Sequence, residues 1–141
     1  MTGAGALPDL DRRPEIEDMV VELYRAVAMD DLFGPIFEDV ASIDWAAHVP
    51  HLADYWCRVL LGEAGYTGRI VDAHRRLHDL APLGADHFDR WFELFSTTVA
   101  EGWAGPSADR AVAHAATMAR SLARIVADTD WHPPRRATAP A

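Results

Sequence analysis

Apolar residues recur in this chain at three- and four-residue spacing through most of its length, and that periodicity admits little besides a bundle of helices. Ile16, Met19, Val20, Leu23 and Val27 form a first stretch, and Trp45, Val49, Leu52, Trp56, Val59 and Leu60 share one face of a second. Ile70, His74 and Leu77 mark a shorter segment, about Arg69 to Leu80. Phe88, Trp91, Phe92, Phe95 and Val99 come next, then Val112, Ala115, Met118, Leu122, Ile125 and Val126. Residues at this spacing line up on one side of a helix and must be covered by another element. No run alternates apolar and polar residues between hairpin turns, as a half-buried strand would. The expectation is an all-α domain of three long amphipathic helices, one short helix and a glycine-rich bend.

Proline and glycine place the breaks. Pro14 suits the first turn of the first helix, and Gly34 and Pro35 end it, leaving Phe37 in a short linking segment. Pro50 interrupts the second stretch. A proline inside a helix removes one hydrogen bond and crowds the carbonyl four residues back. The regular helix is therefore expected to start near Val49, with Asp44 to His48 in a tighter turn. Gly62, Gly65 and Gly68 loosen the next connection, while Asp86 and Ser107 are the expected N-caps of the last two helices. Residues 1–13 read as a mobile arm and 129–141 as a proline-rich disordered tail, leaving a domain over 14–128.

Composition narrows the function. A chain of 141 residues, 50% of them hydrophobic, is long enough for one real core and too short for two. Its 13 basic and 22 acidic residues give a net charge of −9, which argues against nucleic acid or anionic lipid as a partner. There is no signal-like start and no apolar run of membrane-spanning length, so a soluble, cytoplasmic protein is expected. Cys57 is the single cysteine, which excludes an internal disulfide, a CxxC metal or redox pair and a CxxCH haem attachment.

Chemistry has to come from elsewhere. Seven histidines stand at 48, 51, 74, 78, 87, 114 and 132, without an HExxH motif. His74 and His78 lie one helical turn apart, yet a closed zinc site needs four ligands and nothing completes the set. His74 differs from the rest because it sits between Ile70 and Leu77 on the apolar face. A histidine facing a core needs partners for both ring nitrogens. A core hydrogen bond would satisfy it, and so would iron on one nitrogen with a backbone carbonyl on the other. Serines without a GxSxG or a nearby His/Asp pattern, and a cysteine on an apolar helix face, give little support for nucleophilic catalysis.

The segments "LYRAVAMDDLFGPIF", "DWAAHVPHLADYWCRVLLGEAGYTG", His74 and "HFDRWFELFSTTV" occur in the order and spacing of a known family. Over about residues 15 to 127 the chain resembles the truncated haemoglobins, specifically their third group. It lacks the Gly-Gly pairs that the first two groups carry at helix junctions. The resemblance implies a two-on-two helical sandwich around one haem, held as haem b (iron protoporphyrin IX) without a covalent link. By position it makes His74 the proximal iron ligand and His78 a bystander facing propionate or solvent. Tyr24, His48 and Trp91 match the polar residues of the distal side. Phe37, Leu52, Tyr55 and Trp56 resemble its lining, and the face around Ile70, Leu77, Phe88 and Trp91 offers the cofactor a seat. Pro50 would swing His48 out of the pocket if the helix began only after it.

Such a site takes dioxygen or another small diatomic ligand, and the distal donors decide between binding and activation. The resemblance therefore implies either haem redox chemistry, as a nitric oxide dioxygenase or a peroxidase-like catalyst, or oxygen storage, delivery or sensing. The polar distal set favours the first. With no flavin or reductase segment in the sequence, turnover calls for an outside reductase or other electron donor. A haem-free helical module remains the alternative if His74 is not a ligand.

Overall fold

A computed structural model of the chain describes residues 6–37 and 45–134. Among these residues five helices succeed one another: α1 (Arg13–Met29), α2 (Trp45–Leu61), α3 (Ile70–Leu80), α4 (Ala85–Gly102) and α5 (Pro106–Ala127). No strand occurs among the described residues. Helices α1 and α2 pack together as one layer, α4 and α5 as the other. The layers meet where α1 crosses α4 and α2 reaches α5, while α3 lies chiefly on α5. No described helix is long and apolar enough to cross a membrane.

The periodic residues account for the core. Ile16, Met19, Val20, Leu23 and Val27 of α1 are fully buried with Trp56 and Cys57 of α2 and Phe95 and Val99 of α4. A second cluster joins Leu83, Phe88, Leu122 and Trp131, with Ile70, Val71 and Leu77 of α3 packed half-buried against it. Ile125 departs from the expected stripe: it is 50% exposed near the end of α5.

Several expectations are corrected. Among the described residues there are four long helices rather than three, and α2 is helical from Trp45, passing through Pro50 without a break. Pro50 is exposed and only five residues into the helix, and the carbonyl it cannot serve belongs to Ala46, also exposed. The expected placement of Asp44 lies outside the described residues, as does the side chain of Trp45.

Helix α4 starts at Ala85, with Gly84 as N-cap, and the Gly84 N–H donates to Nδ1 of His87 rather than Asp86 providing the cap. Ser107 does not cap α5 either: it is buried within the first turn, and Asp9 caps the helix from outside. One Asp9 oxygen accepts from the Ser107 N–H at 3.1 Å and the other from the Ala108 N–H at 2.7 Å. Gly105, at φ 134°, admits this approach because a Cβ there would collide with the Asp9 carboxylate. Burial alone would raise the Asp9 pKa, but the backbone donors Ser107, Ala108 and Leu10 hold it below its usual value.

The expected arm and tail are thus partly built into the domain. Leu10 is fully buried and Asp9 is bonded, so the segment leading into α1 is docked against the start of α5. Past α5, Trp131 is 3% exposed, packs on Phe88 and Phe92, and donates its indole N–H to Asp89 at 2.7 Å. Residues 1–5 and 135–141 lie outside the described residues.

Candidate functional site

Helix α3 is the odd element of the bundle. It carries Ile70, Val71 and Leu77, yet none of its residues is buried. Its main neighbour is α5, and its apolar residues reach only half-burial there. The connection into α3 is fixed against α2 by one close approach. Gly68 lies so near the His51 imidazole and the Tyr66 hydroxyl that a Cβ would overlap both. His51 and Tyr66 in turn have ring centroids 4.9 Å apart.

His74 stands in the middle of this helix, half-buried. Its Nδ1 is 2.7 Å from the carbonyl oxygen of Ile70. A carbonyl only accepts, so Nδ1 carries the proton and the lone pair of the neutral ring is on Nε2. Burial lowers the His74 pKa below its usual value, with the Ile70 bond working against that, so the ring is neutral at pH 7. These are the features a metal-ligating imidazole needs: the right tautomer, a fixed orientation and a neutral ring.

His78 does something else. Its Nδ1 accepts the backbone N–H of Leu83 at 2.9 Å, which fastens the turn after α3. The two histidines therefore do not act as a chelating pair. Among the described residues no group of three or more His, Cys, Asp or Glu side chains could enclose a metal ion.

Three polar residues from α1, α2 and α4 meet one another. Tyr24 of α1 and His48 of α2 have ring centroids 6.2 Å apart in an edge-on arrangement. The Trp91 indole N–H of α4 donates to the Tyr24 hydroxyl. Burial pushes the Tyr24 phenol up to about 12, that bond working against it, so Tyr24 stays protonated and able to donate. His48 has a lowered pKa, first from burial and then from the nearby His51 and His74. It is half-buried and turned toward Tyr24, so Pro50 does not swing it away.

The apolar residues divide. Phe37 packs on Phe33 at 6.2 Å, and Phe37 and Leu52 lie half-buried against the main core. Trp56 is 2% exposed and stacks on Phe95 at 4.9 Å, so it is a core residue more than a lining one. Phe88 is buried in the second cluster, where Ile70, Leu77 and Trp91 pack on it. Tyr55 commits its hydroxyl to Nε2 of His114 on α5, at 2.7 Å. Sequence reasoning missed that pair: the partners are 59 positions apart, and the only hint was His114 standing one turn before Met118 on the apolar stripe.

Known proteins share this fold. A solved structure of the group III truncated haemoglobin from Campylobacter jejuni superposes with a TM-score of 0.71 at 24% identity, over 82% of this chain and 91% of that one. The group 3 truncated haemoglobin ctb of Campylobacter jejuni is 30% identical over 79 residues, 54% of this chain and 60% of the relative. The group 1 truncated haemoglobin GlbN of a Nostoc species is 35% identical over 77 residues, 55% of this chain and 60% of that protein. The chain thus spans about 60% of the length of the curated relatives it matches. No family model matches the sequence. The fold is the two-on-two helical fold of the truncated haemoglobins. Within that class, the resemblance to the third group drawn from the sequence motifs is borne out.

Proposed function

We propose that this chain is a haem-binding globin that takes dioxygen or another small diatomic ligand, with His74 as its iron ligand. The observation that carries the reading is the His74 imidazole itself: neutral, its Nδ1–H held by the Ile70 carbonyl, on a helix whose apolar side is incompletely covered. A flat apolar macrocycle lying against Ile70, Leu77 and Phe88 would complete that covering. With one cysteine and no CxxCH, the haem is b-type, held without covalent bonds. When bound, the group supplies an open iron position for small ligands and one-electron chemistry.

The chain's own residues decide how a bound ligand is treated. Tyr24, protonated at all physiological pH, donates toward a ligand that gains negative charge on binding, and Trp91 fixes the phenol by donating to it. His48 closes the same side. Such donors hold a charged ligand in place, which suits redox turnover of the nitric oxide dioxygenase or peroxidase type better than delivery. An external reductase or small-molecule donor supplies the electrons.

The visible spectrum of the purified protein tests the cofactor, since bound haem gives a Soret band. Consumption of nitric oxide or peroxide in the presence of reductant tests the chemistry. A protein that takes up no haem overturns the reading. One that binds oxygen and releases it quickly without turnover moves it to storage, delivery or sensing.

A further inference from the structure

The Tyr55–His114 hydrogen bond has no place in the ligand-binding reading, because the Tyr55 hydroxyl is already committed to His114. It sits, however, within a continuous run of aromatic rings. Trp91, beside Tyr24, stacks on Phe95 at 5.3 Å between centroids. Phe95 stacks on Trp56 at 4.9 Å, and Trp56 meets Tyr55 edge-on at 5.5 Å. Tyr66 continues the run toward the surface, 5.2 Å from Tyr55.

From this arrangement we infer that Tyr55 is a redox-active tyrosine, which gives its electron through Trp56, Phe95 and Trp91 and its proton to Nε2 of His114. Oxidising a phenol without removing its proton leaves a high-energy radical cation, so a base within hydrogen-bond distance decides which tyrosine reacts. At 2.7 Å His114 is such a base, and it is half-buried. Burial lowers its pKa, so the ring is neutral at pH 7, and with its proton on Nδ1 it accepts at Nε2. Tyr24 is held differently, its hydroxyl receiving a bond from Trp91.

The inference rests on the proposed haem reading for its oxidant, which is hydrogen peroxide. Reducing one peroxide to two waters takes two electrons and two protons. Each passage removes one electron and one proton from Tyr55, leaving a neutral tyrosyl radical and an imidazolium that returns its proton to solvent. One hydrogen atom from an external phenol- or ascorbate-type reductant restores the tyrosine, and two passages reduce one peroxide.

The charged and titratable groups facing the pair come from three elements. Arg58 of α2 and Tyr66 act on Tyr55. Arg110, one turn before His114 on α5, spends its guanidinium on Ser107 and the Leu60 carbonyl.

Rapid freeze-quench electron paramagnetic resonance of the holoprotein after one equivalent of hydrogen peroxide tests the inference. A tyrosyl signal is expected, lost in Tyr55→Phe and retained in Tyr66→Phe. His114→Gln keeps a hydrogen-bond partner but not the base. It should slow radical formation about tenfold at pH 7, and should flatten the loss of rate expected of the wild type as pH falls and His114 is protonated. An undiminished tyrosyl signal in Tyr55→Phe, or a His114→Gln rate equal to wild type, overturns the inference. The Soret band reports haem binding separately. If there is none, a photogenerated ruthenium(III) polypyridyl oxidant replaces peroxide, and the same two variants decide from the transient tyrosyl absorbance.

Discussion

The Nδ1 atom of His74 faces the Ile70 carbonyl oxygen one turn back on its own helix, at 2.7 Å. That one contact sets the tautomer, and with it which nitrogen is available to a metal. His78, one turn on, has its Nδ1 occupied by the Leu83 N–H. His74→Ala should abolish haem uptake, with partial recovery on adding imidazole. His78→Ala should retain a normal Soret band while losing about 1 kcal/mol of stability with its hydrogen bond. Spectra and thermal melts of the two variants check this, and the opposite pattern would reverse the assignment.

In the proposed haem site, Tyr24 and Trp91 would act in series. An indole has one N–H, and Trp91 donates it to Tyr24. Tyr24→Phe should therefore speed oxygen release about tenfold or more, the loss of one charge-assisted bond of about 1.5–3 kcal/mol. Trp91→Phe should do less, and the double variant should resemble Tyr24→Phe alone, because the second change removes a support already without its target. Stopped-flow release rates around this cycle check it. Additive effects would mean that the indole reaches the ligand independently.

Much of this was legible in the sequence because it depends on local spacing. The buried face of α1 was readable residue by residue from its periodicity, and so was the place of His74 between Ile70 and Leu77. The features that escaped depend on contacts between distant segments. Asp9 caps a helix that begins nearly a hundred residues later, and Trp131 closes over α4 from a segment that reads as proline-rich tail. Pro50 misled for the converse reason: its local cost is real, but tertiary packing of Ala53, Trp56 and Cys57 outweighs one lost hydrogen bond.

Helix α3 should be the first element to loosen when haem is absent. It has no buried residue and leans mainly on α5. A short helix without buried anchors is marginal in water, so its order depends on what covers it. Hydrogen exchange across residues 70–80 should be fast in the apoprotein and slow in the holoprotein, whereas α1 should be protected in both. Equal protection of α3 in the two forms would count against a cofactor seated on it.

Acid should destabilise the apoprotein through histidines that fold as neutral groups. His114 has a pKa lowered by burial, so between the unfolded value near 6.5 and its lower folded value the unfolded chain binds more protons. Its stabilising contribution is present above about pH 6.5 and is lost as pH falls through the folded pKa. Denaturant melts from pH 7.5 down to pH 5 should show a falling midpoint, with a shallower fall in His114→Gln. His48 and His74 are shifted the same way, so some acid sensitivity should survive in that variant.

The segments flanking the helices should prove structural rather than dispensable. Asp9 accepts two N–H groups at the start of α5, and removing such a cap costs about 0.5–2 kcal/mol. Trp131 is buried over Phe88 and Phe92 with its indole bonded to Asp89, and truncating a buried tryptophan to alanine costs about 3–5 kcal/mol. Asp9→Asn, which keeps one acceptor and loses the charge, should fall between wild type and Asp9→Ala. Trp131→Ala should also weaken haem retention, because Phe88 helps form the face on which Ile70, Leu77 and Trp91 pack. Thermal melts with and without haem separate the two effects. A Trp131→Ala protein as stable as wild type would return residues 129–134 to the status of a loose tail.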